Sequence, residues 1–307
     1  MLSRAMRRLV YPVVISLFLP NSSRNSGIKK LENSTFRLTS DTIHGNDVLP
    51  HRLDRYNGVI IESQYIPDSK DGFLLLLRSS LSAWQSQGRR GVWLKLPIEK
   101  AEYIPLAVEE GFIFHHAEKN FIMMTTWLSE EENRMPAGAT HHVGVGCVVV
   151  SPDNKMLLVQ ERSGPLKDTG VWKIPTGYVD PGEDIPAAAC REVLEETGIE
   201  AEYVGVLCFR QAHNMLFGKS DLFFICVLKP KSSTITHQPS EIVACEWHEP
   251  SVYLEQPFFK QNPIYSKINE LIADSISGGD KVIDNVKLEI GWRPGAQSLH
   301  FIRRDKQ

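Results

Sequence analysis

Three glutamates, Glu192, Glu195 and Glu196, stand at i, i+3 and i+4, with Arg191 beside them and Glu183 upstream. On a helix turning about 100° per residue, Glu195 and Glu196 fall within about 60° of Glu192, while Cys190, Val193, Leu194 and Thr197 lie roughly opposite. One face is then acid and the other is core. Like charges at these spacings repel, costing an isolated helix a few tenths of a kcal/mol per pair. A divalent cation offsets that cost. Magnesium prefers octahedral oxygen ligation, keeps several waters and is shared between carboxylates and substrate phosphates, so the cluster predicts phosphate chemistry. Arg191 and Glu183 flank the face, where an arginine can pair with a carboxylate and hold its orientation. The same residues also suit an exposed acidic helix with a salt bridge, and composition and periodicity leave both readings open.

The element that must carry the glutamates is legible from its ends. Asp184 can cap a helix whose first turn tolerates Pro186, Ala187 to Ala189 favour helix, and Gly198 supplies a left-handed stop after Thr197. Around it, Val143 to Val150 and Met156 to Gln160 read as paired strands about the turn Ser151-Pro-Asp-Asn-Lys, and Val204 to Gln211 and Leu222 to Leu228 as further strands. Earlier in the chain, Gly58 to Ser63, Gly91 to Leu96 and Asn120 to Trp127 read as strands, and Gly72 to Gln87 and Ala101 to Glu110 as helices. Residues 129–140 lose apolar periodicity and carry Pro and Gly, the composition of a surface connection. The histidine pairs His115/His116 and His141/His142 are not read as a metal site, because neighbours on a strand point to opposite faces. Trp84 and Trp93 are assigned to the first core, and Glu130 to Glu132 to a solvated charge run.

The spacing of the segment is more specific than its composition. Gly177, Glu183, Arg191, Glu192, Val193, Glu195, Glu196, Gly198 and Ile199 match G-x5-E-x7-R-E-U-x-E-E-x-G-U, where U is aliphatic, at every specified position. Average residue usage puts a chance match at a given start on the order of 10⁻⁹. The segment resembles the signature of the Nudix hydrolases. The flanking stretches Trp84 to Pro97, Gly111 to Ala117, Phe209 to His213 and Phe217 to Phe224 resemble the plant ADP-ribose/NADH pyrophosphatase group and the animal antisense fibroblast growth factor Nudix protein.

The resemblance implies an α/β (α+β) Nudix fold, a mixed sheet sandwiched between helices, preceded by a smaller α/β domain with a faint likeness to acetyltransferases but no acetyl-CoA phosphate loop. The implied organisation is a pre-Nudix domain at 50–128, a linker at 129–141, the Nudix domain at 142–262 and a C-terminal extension at 263–307. It implies hydrolysis of the pyrophosphate bond of a nucleotide-sugar or dinucleotide, ADP-ribose or NADH, releasing AMP. It also implies Mg2+ or Mn2+ held by Glu192 and Glu196, with Glu195 a ligand directly or through water and a carbonyl near Thr176 and Gly177 as a further oxygen. Gly177, Glu183, Arg191 and Gly198 are the supporting signature residues. The general base comes from the helix or from a later loop, for which Glu241 is the candidate. Arg210, His213, Phe217 and Lys219 are candidates for the nucleotide pocket, with strand-end core or surface roles as the alternative. Downstream arrays typical of other Nudix groups are missing, since the region past the signature reads Ala212-His-Asn-Met-Leu216. A regulatory or interaction protein built on the same fold is the second functional reading, disfavoured by the complete glutamate set. The resemblance also leaves room for a homodimer.

The whole chain fits this class. It has 307 residues, 42% apolar and 23% charged, which is ordinary globular usage and excludes a wholly disordered or multi-span membrane protein. A formal charge of −3 gives no global field to collect nucleic acid. Five cysteines with no C-x-x-C pair argue against a disulfide framework or zinc knuckle. Residues 1–31 carry only basic charges, and the apolar run Leu9 to Leu19 is too short for a transmembrane helix, which needs about 20 residues. That stretch reads as a targeting segment, mitochondrial or for another organelle, with a secretory signal or an untargeted cytoplasmic tail as alternatives.

Overall fold

A computed structural model describes residues 43–45, 47–278, 282–289 and 296–302. The basic segment at 1–31 lies outside them. In the first part of the chain, strands β1 (Ile43–Gly45), β2 (Val48–Leu53) and β3 (Val59–Ile61) precede helix α1 (Lys70–Ser86) and strand β4 (Gly91–Pro97). Helix α2 (Ile104–Glu109) and strands β5 (Ile113–Glu118) and β6 (Phe121–Trp127) complete it. They form one sheet in the order β1-β2-β3-β4-β6-β5, parallel only between β3 and β4. Ser69 caps α1 by accepting from the Gly72 amide, and Phe73, Leu77, Ser80 and Trp84 recur at helical spacing as its buried stripe. Trp84 lies in this first core as expected.

Three local expectations change here. The helix read from Ala101 starts as a 3-10 turn over Ile98–Tyr103, and its α-helical part begins only at Ile104. Pro105 explains the break: without an amide hydrogen it suits a first turn and not a helix interior. His115 and His116 do not part to opposite faces. The β5 register shifts between Phe114 and His116, and the two Nδ1 atoms lie 2.6 Å apart. A bulge adds one residue and cancels the alternation that the expectation relied on. Trp93, assigned to the first core, is only half-buried, its ring edge-on to that of His115. Glu130 to Glu132 are exposed as expected, Glu131 pairing with Arg90 and its carbonyl accepting from the Trp127 indole.

Beyond a stretch without regular structure come β7 (His141–Val149), β8 (Met156–Glu161), β9 (Thr176–Tyr178), α3 (Ile185–Thr197), β10 (Ala201–Ala212) and β11 (Ser220–Pro230). They are followed by β12 (Ile242–His248), α4 (Pro250–Leu254), α5 (Pro257–Lys260), α6 (Pro263–Ile276), β13 (Ile283–Glu289) and β14 (Ala296–Ile302). The main sheet has the order β14-β13-β10-β11-β7-β9, with β7 parallel to β11 and the other pairs antiparallel. β7 and β8 were expected to pair, but they share only the bridge Val150–Met156, and β8 pairs with β12 instead. The turn is present, with the Ser151 amide donating to the Lys155 carbonyl, yet the strands it joins diverge into different sheets. Both are buried on both faces, so each needs partners on either side that a single hairpin does not supply.

Alternation along these strands builds the sandwich. Val145, Cys147 and Val149 of β7 and Leu157 and Val159 of β8 pack with Ala188, Ala189 and Val193 of α3. Val148, Met156 and Leu158 point the other way, into a cluster with Tyr253, Phe259, Ile268 and Ile272 of α4, α5 and α6. Helix α6 and strand β13, which pairs with β10, thus place residues after 262 in contact with this sheet. The five cysteines are free thiols, three of them buried, and burial pushes the thiols of Cys226 and Cys245 up to about 12.

Candidate active site

Helix α3 begins and ends where its residues predict. Asp184 takes the extended N-cap conformation, although its side chain makes no capping bond to the helix, and Pro186 occupies the first turn. Gly198 adopts φ 73°, its amide donating to the Leu194 carbonyl, with Thr236 packed against the position a Cβ would fill. The acid face is not uniform. The Glu195 side chain is open to water at 53% exposure, whereas those of Glu192 and Glu196 are 14% and 9% exposed. Leu194, assigned to the core face, is exposed. A helical wheel orders residues around the axis but does not say which neighbour covers each flank. Here the loop before β9 covers Glu196, while Leu194 stays open to solvent.

Strand β9 supplies the close approach. Gly177 pairs with Val145 of β7, and the Glu192 carboxylate lies so near that a Cβ on Gly177 would stand 1.9 Å from Glu192 Cδ. Any side chain at 177 would occupy the carboxylate's place. One residue back, the Thr176 amide donates to Glu196 Oε2 at 3.3 Å.

Arg191 binds this group together. Its guanidinium grips Glu183 bidentately at 2.9 and 2.8 Å, donates to Glu192 at 2.8 Å and Glu195 at 3.0 Å, and reaches the Tyr178 carbonyl at 2.9 Å. It holds the Glu183 carboxyl below the usual carboxylate range. Burial pushes Glu192 up against the pull of Arg191, and pushes Glu196 up to about 7, more strongly than Lys173 and the Thr176 amide lower it.

A cleft of about 430 Å³ opens beside β9, lined by Thr176, Gly177, Tyr178, His142, Arg210, Asp221, Phe223 and the loop residues Asn214 to Leu216. A hollow of similar volume near Trp247 contains none of the signature residues. Of the four pocket candidates only Arg210 lines the cleft, ion-paired to buried Asp221 at 3.2 Å and lying over the Phe223 ring. His213 bonds to Ser220, Lys219 donates to the Ala139 carbonyl, and Phe217 projects into solvent at 88% exposure, so the structure does not bring these three into the cleft. Glu241 precedes β12 at the end of a loop whose backbone is tied to α3 through Gln238 and Glu196. Among the described residues its carboxylate does not join the glutamate cluster, although its amide and carbonyl hold the loop through Gln238 and Arg162. Glu161, Lys173 and Asp221 are additions from the structure. Glu161 and Asp221 each stand one residue outside the strands read from the sequence, which end at Gln160 and begin at Leu222, and nothing in their spacing links them to the signature.

The donor set suits a hard divalent cation. Glu196 is a buried carboxylate whose contacts are one amide and a lysine 4.0 Å away, too little for a full charge, and every free donor around it is oxygen. Among the described residues no three acidic, histidine or cysteine groups already surround one point. Two carboxylates completed by waters and substrate oxygens are the ordinary arrangement for magnesium.

Residues 49–128 match the family description Nudix hydrolase domain, and residues 140–268 match NUDIX domain. Nudix hydrolase 2 of Arabidopsis thaliana is 44% identical over 84% of this chain and 92% of its own length. The chain belongs to the Nudix hydrolase family. Nudix hydrolase 8 of the same plant is 42% identical over 78% of this chain, which spans 65% of that longer protein. The human nucleoside diphosphate-linked moiety X motif 6 is 38% identical over 77% of this chain and 75% of its own. The α+β fold with its mixed sheet agrees with this membership. The family hydrolyses pyrophosphate bonds in nucleoside diphosphate derivatives and depends on divalent metal, so this chain is a Nudix-type pyrophosphohydrolase acting on nucleotides. Among the described residues no helix is long and apolar enough to cross a membrane.

Proposed function

We infer that the chain hydrolyses ADP-ribose, NADH or both, releasing AMP, with Mg2+ or Mn2+ held by Glu192 and Glu196 and assisted by Glu195. The observation that carries this reading is the Glu192 carboxylate seated against Gly177, itself part of the cleft wall, with a buried Glu196 beside it. When bound, the metal supplies charge neutralisation on the pyrophosphate and a more acidic water. The chain's own groups do the rest. Arg191 keeps Glu192 from swinging toward solvent, and its grip on Glu183 and the Tyr178 carbonyl ties helix and strand into one unit. Arg210, oriented by Asp221 and Phe223, offers a cation to a diphosphate oxygen in the cleft, and Tyr178 presents an exposed aromatic face for stacking. Glu241 is the candidate base, on a loop whose Gln238 amide donates to the Glu196 carbonyl at the end of α3.

A panel of nucleoside diphosphate derivatives incubated with protein, with and without Mg2+ or Mn2+ and resolved by chromatography, tests this directly. AMP is expected from ADP-ribose and NADH only with metal. Turnover that is indifferent to chelator, or preference for an unrelated substrate, would sink the assignment. The segment at 1–31 is proposed to direct the protein to mitochondria or another organelle. A fluorescent reporter carrying it should collect there, and a diffuse cytosolic or secreted reporter would refute the idea.

A further inference from the structure

Lys173 reaches the site from the loop before β9. It exchanges both backbone hydrogen bonds with Val159, at 2.8 and 2.9 Å, which fixes it alongside β8. Its side chain is 9% exposed, and Nζ lies 2.7 Å from Glu161 Oε1, 2.6 Å from Thr176 Oγ1 and 4.0 Å from Glu196 Oε1. A buried ammonium is costly unless it is paired and hydrogen-bonded, and an apolar residue would fill the space at less cost. A cation at this point therefore serves the two carboxylates it separates.

We propose that Lys173 is a built-in counter-cation, holding the position between Glu161 and Glu196 that a further metal ion would otherwise take. It is a positioning residue. It acts through Glu196, directing that carboxylate toward the catalytic metal while leaving the group of three with a net single negative charge. This rests on the metal reading above, and the metal affinities of the wild type, the Lys173 and Glu161 variants and Glu196→Gln separate the two ideas.

The test uses full-length protein stripped with chelator and titrated with Mn2+ alone, free ion being counted by electron paramagnetic resonance. Lys173→Met leaves two negative charges in the group, wild type and the double variant Lys173→Met/Glu161→Gln leave one, and Glu161→Gln leaves none. Each unit of charge removed from or added to the group around Glu196 should change the affinity for a divalent ion about tenfold or more. Mn2+ should bind most tightly to Lys173→Met, about equally to wild type and the double variant, and most weakly to Glu161→Gln. Lys173→Arg, which keeps the charge, should stay near wild type. Lys173→Met should also melt lower than wild type in chelator and recover more on adding Mn2+.

If wild type binds Mn2+ and Glu196→Gln weakens it, but Lys173→Met binds no more tightly, Lys173 is a structural prop and the proposal fails alone. If wild type binds no Mn2+, the metal reading fails and takes this with it. Should Lys173→Met not fold, Glu161→Gln decides, because unchanged or tighter binding there overturns the proposal.

Discussion

Glu196→Gln is expected to lose about 10²–10³ in kcat, as for removal of a strong electrostatic contributor, while its metal-free fold is at least as stable as wild type. Gln and Glu have nearly equal helix propensity, and the Gln carbonyl can still accept from the Thr176 amide. The stability term follows from burial. The Glu196 carboxyl is pushed up to about 7 in the folded protein, above its ordinary value, so folding opposes its ionisation. Between about pH 4.3 and 7 the native chain therefore binds more protons at this site than the unfolded chain, and stability falls as pH rises. Gln removes that penalty. In chelator, the advantage of Glu196→Gln should be absent near pH 4, grow to on the order of 1–3 kcal/mol by pH 7 and level off above it. Melting curves across pH in chelator, beside AMP release from ADP-ribose in Mg2+, give both readouts. Equal turnover by the two proteins, or a variant less stable at pH 8 than wild type, would show that Glu196 is a structural acid.

How far such a site can be read before folding depends on the range of the interactions. The ends of α3 depend on local chemistry, the Pro186 first turn and the left-handed Gly198, and they stand where the residues place them. Arg191 with Glu183 is nearly as local, since both belong to one loop and helix. Strand partnership is not local. The turn at Ser151 to Lys155 is correctly formed, but the choice between β7–β8 and β7–β11 pairing depends on Phe224 and Cys226 lying across from Val145 and Cys147. The burial of Glu196 likewise depends on Lys173 and Thr176, which reach the helix only once β9 has docked on β7. Asp221 and Arg210 meet because β10 and β11 are antiparallel, a pairing no spacing rule announces.

Gly177→Ala should separate chemistry from folding at a position with no reactive group. The Gly177 backbone is an ordinary strand conformation paired with Val145, so alanine fits the chain and slightly reduces the freedom of the unfolded state, worth about 0.4–1 kcal/mol in favour of folding. The obstruction is a flexible tip, with Glu192 Cδ at 1.9 Å and both carboxylate oxygens at 2.1 Å from the new methyl. Glu192 can rotate away at little cost to the fold, but not while keeping its place or its 2.8 Å bond to Arg191. A ligand displaced by an ångström costs about 10² in rate. We therefore expect kcat to fall about 10²-fold with weaker Mn2+ binding, while the melting temperature in chelator shifts by no more than about 2–4 °C, the equivalent of 1 kcal/mol in a domain of this size. Gly198 has the opposite requirement. Its positive φ and the Thr236 carbonyl 2.9 Å from a Cβ position concern backbone, which cannot rotate aside, so its glycine serves the fold. Full activity in Gly177→Ala would mean that Glu192 does not work from the place it occupies against β9, and a large loss of stability in parallel with activity would make Gly177 a folding residue like Gly198.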